Sequence, residues 1–291
     1  MSLQTLSEWL RCPNCFQPLS PGGPLVLVCP AGHSFDVNKR GFLSALGGSR
    51  GLIGDSAAML DARDAFLNAG WFEPLRNALA VLVSAEAPSR VLDIGCGTGY
   101  YLRGVLASCP DARALGVDLS PAAVARTARD VDRVDGLVAD VWSPLPVRDG
   151  AADVILTVFA PRNPVEFHRV LRPRGLLAVV IPQADHLREL REAGLALDVQ
   201  ADKAAQLRAS LAPWFELESR EALSRTLNLS TTDVHALIGM GPSAHHRDAH
   251  HRDAHHRDAH QRDTEPAEDA DDVPWTVTTA FEVLGFRRRT N

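Results

Sequence analysis

Residues 91–99 read Val-Leu-Asp-Ile-Gly-Cys-Gly-Thr-Gly, and no other stretch limits the fold of this chain as tightly. Val91 to Ile94 suit a buried strand, and the glycines at 95, 97 and 99 suit a turn in which backbone comes close to a ligand. Tyr100 to Ala107 follow as an apolar, helix-forming stretch, so unsatisfied N–H groups and the positive end of a helix dipole would meet at the turn. The obvious occupant is a dinucleotide. The spacing is Gly-x-Gly-x-Gly, however, and position 100 is Tyr where the dinucleotide fingerprint has Gly.

With an acid, Asp93, inside the strand and glycines at these spacings, the pattern resembles the first motif of class I S-adenosylmethionine-dependent methyltransferases. The resemblance implies a cofactor site containing Asp93, Gly95, Gly97, Thr98 and Gly99. Beyond it the chain alternates: a strand at 114–119, a helix from Ser120-Pro121, strands at 136–141 and 152–159, a helix over 166–171 and a strand at 175–181. Such alternation predicts a mostly parallel sheet covered by helices on both faces, with the active site at the strands' carboxyl ends. Ser120-Pro121 is a good helix start, which fixes Asp118 at a strand exit about twenty residues past the glycines, where an acid can take both ribose hydroxyls of an adenosine cofactor. Asp140, at the next exit, is where this superfamily often places a residue beside the adenine amino group. The turn at Arg172-Pro173-Arg174-Gly175 reads as structural.

The N-terminal segment carries separate chemistry. Cys12-Pro-Asn-Cys15 and Cys29-Pro-Ala-Gly-His33 are two pairs of ligands on short turns, thirteen residues apart, with a Pro- and Gly-rich stretch and the strand-like Leu25 to Val28 between them. That spacing predicts a zinc ribbon, with Cys12, Cys15, Cys29 and His33 filling all four positions of a structural site. A segment this poor in core residues gains from a metal. The alternative is a set of unpaired cytosolic thiols. Five cysteines without a secretion signal argue against a disulfide framework, and no apolar run is long enough to span a bilayer, so the expected compartment is the cytoplasm and no membrane partner is expected. A net charge of −6 excludes a generally basic surface, though not a local one.

Phe35 to Gly54, with five glycines and Lys39, Arg40 and Arg50, reads as a loop-rich connector that faces RNA. Gly54-Asp55-Ser56 offers caps to a helix carrying Met59, Ala62, Phe66 and Ala69 and ended by Gly70, and a second helix begins around Trp71-Phe72-Glu73-Pro74 and runs to Ser84. The expected organisation is a zinc-ribbon RNA-recognition domain at 1–45, a helical linker at 46–87 and a methyltransferase domain at 88–291. Within the last, 244–272 holds a His-His-Arg-Asp-Ala repeat followed by an acidic stretch, read as a low-complexity insertion with nothing to bury. Trp275 to Phe281 resumes strand character, and Arg287 to Arg289 form a basic end read as a solvated tail or an RNA contact.

The ribbon, Gly54-Asp-Ser-Ala-Ala-Met59, Ala62-Arg63, Ala65-Phe66-Leu67, Ala69-Gly70 and Asp93 to Tyr101 together resemble the 23S ribosomal RNA guanine-N1 methyltransferases, a family that includes housekeeping enzymes and macrolide-resistance enzymes of actinomycetes. The resemblance covers essentially the whole chain except the histidine repeat. It implies the α/β fold of a class I methyltransferase, Rossmann-like with a mostly parallel sheet and a small N-terminal zinc ribbon; S-adenosylmethionine and structural zinc as cofactors; and a 23S rRNA hairpin as partner, with a homodimer allowed. It further places Phe72, Gly99, Tyr100 and His186 in the cofactor pocket, with Phe72 standing where Tyr is often found. The segment after the fourth strand, Phe159-Ala160-Pro161-Arg162-Asn163-Pro164, lacks the Asn/Asp-Pro-Pro-aromatic clamp of exocyclic-amine methyltransferases, which points to a different acceptor atom. A general base is desirable for guanine N1, and no residue is named for it. Two rivals stand beside this reading: a small-molecule methyltransferase, which would share residues 91–182, and a non-catalytic zinc-ribbon binding protein, which would be expected to lose the glycine turn or Asp118.

Overall fold

The computed structural model of the chain describes residues 3–46, 54–129, 131–198, 203–241 and 274–290. The first elements are α1 (Leu3–Trp9) and three short strands, β1 (Ser20–Gly23), β2 (Val26–Val28) and β3 (Ser34–Asp36), which form a small antiparallel sheet in that order. The expected hairpin between the two Cys/His turns is therefore formed, with Ser20 paired to Val28. The stretch expected as a loop-rich connector differs from that reading. It contains β3 and a further strand, β4 (Phe42–Ser44), at the edge of the main sheet. Phe42 and Leu43 are buried there, and a strand of three residues is too short to show a period.

Two helices follow as expected. Ser56 caps α2 (Ala57–Asn68) by accepting from the Met59 N–H at 3.3 Å, and α3 (Glu73–Ser84) starts with Pro74 in its first turn. Next come β5 (Arg90–Ile94), α4 (Tyr100–Ser108), β6 (Arg113–Asp118), α5 (Pro121–Thr127), β7 (Val134–Val138), β8 (Ala152–Val158), α6 (Pro164–Val170) and β9 (Leu171–Pro182). The turn expected at 172–175 lies inside β9, as an irregularity in its pairing with β8 that puts Arg174 at φ 59°. Beyond β9 are α7 (Arg188–Glu192), α8 (Lys203–Leu211), β10 (Phe215–Leu229), α9 (Thr231–Gly239) and β11 (Trp275–Arg288).

The main sheet has the order β10-β11-β9-β8-β5-β6-β7-β4, with β4 to β9 mutually parallel, β11 antiparallel to β9, and β10 antiparallel to β11. This is the Rossmann-like fold expected of a class I methyltransferase. The chain runs outward from β5 through β6 to β7, then returns to β8 on the other side. The crevice at the carboxyl ends of β5 and β8 is thus the topological switch point, where ligands bind in open α/β sheets.

Each sheet face is covered by its own apolar core, and the ribbon shares one of them: Trp9, Leu10, Cys12, Leu27 and Cys29 pack in one cluster with Leu137, Leu145, Val147 and Phe167. Thr5 Oγ1 donates to Asp135 at 3.0 Å, and Arg148 donates to the carbonyls of Leu10 and Leu19 at 2.9 and 3.0 Å. The basic end is not a free tail, although Arg289 is exposed. Arg287 bridges Glu86 and Glu218, Arg288 donates to the Leu171 carbonyl and Arg289 to that of Phe215, because the long β10–β11 pairing lays these residues across neighbouring chain. The histidine repeat, the acidic stretch after it, Arg50 and the glycines at 47, 48 and 51 lie outside the described residues.

Candidate active site

Gly95, Gly97 and Gly99 have φ of 72°, 54° and 77°, the left-handed region in which other residues are strained. A side chain at 95 would put its Cβ 2.5 Å from that of Ala160, and one at 99 would lie 3.0 Å from Thr127 Cα. The turn's own N–H groups are largely used: Gly95 and Cys96 donate to the Val117 carbonyl at 2.8 and 3.1 Å, Gly97 to Asp118 Oδ2 at 3.0 Å and Gly99 to the Cys96 carbonyl at 2.8 Å. What remains for a ligand is the first turn of α4, whose N–H groups have no intrahelical acceptors.

Asp118 stands at the exit of β6 and accepts from Gly97 N–H on one oxygen and from Ser120 N–H, at 2.9 Å, on the other. Each oxygen keeps a free lone pair, so two hydroxyl donors can still be accommodated. Burial raises its pKa, partly offset by those two N–H groups. Asp93 is only 3% exposed, and burial with help from the Asp118 charge pushes it up to about 7. Three enclosed hydroxyls, those of Thr98, Tyr100 and Thr157, have no hydrogen-bond partner among the described residues. Buried polar groups are normally paired, so these fit a site completed by a polar ligand.

The Gly-Asp-Ser segment lies against this turn. Ser120 Oγ donates to the Asp55 carbonyl at 2.9 Å, and a Cβ on Gly54 would meet Ser120 N at 2.9 Å. Asp55 pairs with Arg63, whose guanidinium also donates to the Met240 carbonyl at 2.8 Å and lies 2.9 Å from where a Cβ on Gly97 would sit. Sequence reasoning gave Arg63 no role, because a charge on an amphipathic helix reads as part of a solvated face. Asp140 is placed beyond β7 and organises its own turn, accepting from Trp142 N–H and Ser143 Oγ at 3.0 Å each.

An aromatic row joins Tyr100 to His186. Ring centroids lie 5.1 Å apart for Tyr100 and Tyr101, 6.4 Å for Tyr101 and Phe159, 5.4 Å for Phe159 and Phe281, and 4.6 Å for Phe281 and His186. Phe72, buried at the start of α3, packs edge-on to Phe281 at 5.0 Å and lies 6.5 Å from His186. Burial, aided by Arg191 and Lys203, lowers the His186 pKa to about 4, so the ring is neutral near pH 7. Its Nδ1 faces the Ala280 N–H at 3.4 Å, which leaves the proton on Nε2. The three residues Tyr101, Phe159 and Phe281 were not singled out from sequence as site residues.

At the ribbon, one ligand atom each from Cys12, Cys15, Cys29 and His33 lies within 4.8 Å of the others. Cys12 Sγ and Cys29 Sγ are 3.6 and 3.3 Å from His33 Nδ1, and the Cys15 and Cys29 sulfurs are 3.6 Å apart. Ligand bonds of about 2.0–2.3 Å in a tetrahedron imply edges of roughly 3.3–3.8 Å, so the cluster fits zinc. Although burial works the other way, hydrogen bonding by His33, Cys15 and Ala31 pulls the Cys29 thiol down to about 6, toward the thiolate that binds metal.

Residues 91–175 match the family model described as a methyltransferase domain. The chain is 45% identical over 245 residues to the 23S rRNA (guanine(748)-N(1))-methyltransferase of Streptomyces fradiae, an alignment covering 83% of this chain and 87% of that protein. A provisionally assigned 23S rRNA (guanine-N(1)-)-methyltransferase of Micromonospora griseorubida is 41% identical over 258 residues, covering 82% and 88%. One from Bacillus subtilis, also provisionally assigned, is 32% identical over 191 residues, covering 62% and 67%.

Proposed function

The chain belongs to the 23S rRNA (guanine-N1)-methyltransferase family, and on that premise we propose that it methylates N1 of a guanine in a 23S rRNA hairpin loop, at the position equivalent to the one its Streptomyces fradiae relative is named for. The 45% identity over 245 residues carries this reading, because it extends well beyond the 91–175 segment common to methyltransferases of many substrates. The likeness is greater to the Streptomyces and Micromonospora proteins, at 45% and 41%, than to the Bacillus one, at 32%, and this favours a role in macrolide resistance.

S-adenosylmethionine supplies a methyl group on a positively charged sulfur, which is already reactive. The protein's work is therefore alignment and exclusion of water. In this proposal Asp118 holds the ribose hydroxyls with its two remaining lone pairs, while Gly95, Gly97 and Gly99 let the backbone come close. Thr98, Tyr100 and Asp93 complete the polar lining, and Phe72 and His186 close the aromatic side. Asp140 serves the adenine end. Cys12, Cys15, Cys29 and His33 hold one structural zinc, with no position open for a catalytic water. N1 lies on the pairing edge of guanine, so the base must leave any duplex to reach the crevice.

A small-molecule acceptor is the rival reading. Incubation with methyl-labelled S-adenosylmethionine and a mixture of 23S rRNA and cell metabolites separates the two: label is expected in the RNA, and label confined to small molecules would overturn the proposal. Metal analysis of the purified chain should find one zinc per chain, lost in the Cys12→Ser variant.

A further inference from the structure

Of the three aromatics in the row that the cofactor site does not account for, Tyr101, Phe159 and Phe281, only Phe159 is exposed. It follows the last residue of β8, at the switch point, and its neighbour Ala160 abuts the glycine turn where a Gly95 side chain would stand. Its φ is 55°, a conformation that strains any residue but glycine, and its N–H donates to the Val180 carbonyl at 3.2 Å. Despite that anchoring, 43% of the residue is exposed. Phe281 is tilted at 47° and Tyr101 at 76° to the ring, so neither stacks flat on it. A strained, exposed ring beside a cofactor turn makes a poor choice for stability and a good platform for a base.

Three residues further on, Arg162 is half-buried, and its enclosed Nε has no partner among the described residues. Among the described residues no carboxylate pairs with it. Burial lowers its pKa, and Lys203 at the start of α8 is itself lowered by burial and by the Arg162 charge. A guanidinium left without an acceptor while partly out of water is one that awaits an anionic or carbonyl acceptor.

We propose that Phe159 stacks on the target guanine once it has left the RNA helix, and that Arg162 donates to the O6 of that base. This rests on the guanine-N1 reading above. Guanine N1 carries a proton; when it leaves to water, the negative charge is shared between N1 and O6, and a cation at O6 favours that anion. The N1 electron pair then forms the N1–CH3 bond as the S–CH3 bond breaks, and the sulfur keeps its pair and becomes neutral. Lys203 adds positive potential on the same side.

The test uses the full chain and a 23S rRNA substrate that the unaltered protein converts to 1-methylguanosine; failure of that first reaction sinks the functional reading and this proposal with it. Given that reaction, Phe159→Ala should keep cofactor affinity and lose about tenfold or more in single-turnover rate, with Phe159→Tyr or Phe159→Trp restoring most of it. With 2-aminopurine at the target position, emission should be quenched in the unaltered complex and rise in Phe159→Ala. Arg162→Gln should move the rising limb of the pH–rate profile to higher pH, and Arg162→Lys should bring it part of the way back. A Phe159→Ala rate within about twofold of the parent, or unchanged 2-aminopurine emission, would overturn the stacking role. An unmoved pH limb with weakened RNA affinity would make Arg162 a phosphate contact and overturn its assignment to O6.

Discussion

Asp93 shows how one buried side chain can tie cofactor binding to pH. Its folded pKa, pushed up to about 7 chiefly by burial, lies above the unfolded value of about 3.9. The neutral acid therefore suits the folded state, and its contribution is full below about pH 4 and declines as pH rises toward 7, by at most about 1.4 kcal/mol per unit. A sulfonium cation in the pocket favours the carboxylate, so binding of S-adenosylmethionine should tighten as pH rises through about 7, while binding of the neutral demethylated product should change less. Titration calorimetry from pH 5.5 to 8.5 checks this, and Asp93→Asn should flatten the difference; equal slopes for parent and variant would contradict it. A second contrast concerns two glycines. Gly95→Ala drives a Cβ to 2.5 Å from Ala160 Cβ, whereas Gly97→Ala meets only the movable end of Arg63 at 2.9 Å. Positive φ costs each variant about 1 kcal/mol, so Gly95→Ala, with the harder clash, should lose more cofactor affinity than Gly97→Ala. The placement of Asp118 at a strand exit and of the glycines in a left-handed turn was legible from spacing, since a turn of this kind needs those residue types at those intervals. Phe159 and Arg162 were not, because an apolar residue ending a buried strand reads as core, and only its left-handed backbone turns it outward.

Among the elements, the ribbon and the sheet behave as one packed body. Leu27, Cys12 and Cys29 share a core with Leu137 and Val147, and Arg148 holds two ribbon carbonyls. Removing zinc with a chelator, or replacing Cys29 by Ser, should accordingly lower a single thermal transition by several degrees rather than produce a separate early one. Calorimetry with and without chelator decides it, and an unmoved transition would count against a structural metal. The alternating strands and helices from β5 to β9 were legible because glycines, prolines and caps punctuate them. β10 was missed because its charged residues mostly face solvent, and its partner β11 follows only after the histidine repeat. β4 was missed for its length.

For the molecule as a whole, a net charge of −6 means that RNA must be met on a restricted surface. Lys39 and Arg40 are exposed on the turn before β4, and Trp142, 66% exposed, stands beyond β7, so the edge of the sheet carrying the ribbon presents both charge and a ring. Alanine at Lys39, Arg40 and Arg50 together, the last outside the described residues, should weaken RNA binding and leave cofactor affinity intact. The same triple variant should reduce the salt slope by about 0.7–0.9 for each phosphate it no longer neutralises. Filter binding across a salt series measures it; an unchanged slope would place the RNA elsewhere. The family names the methyl donor, and the acceptor is carried by a likeness that extends over 83% of the chain. The most direct test is primer extension on 23S rRNA treated with the protein and S-adenosylmethionine. The account predicts one new stop immediately 3′ of a single hairpin-loop guanine, since N1 methylation blocks pairing, with 1-methylguanosine as the labelled nucleoside. Label in the RNA with no stop, or a labelled nucleoside other than 1-methylguanosine, would contradict it.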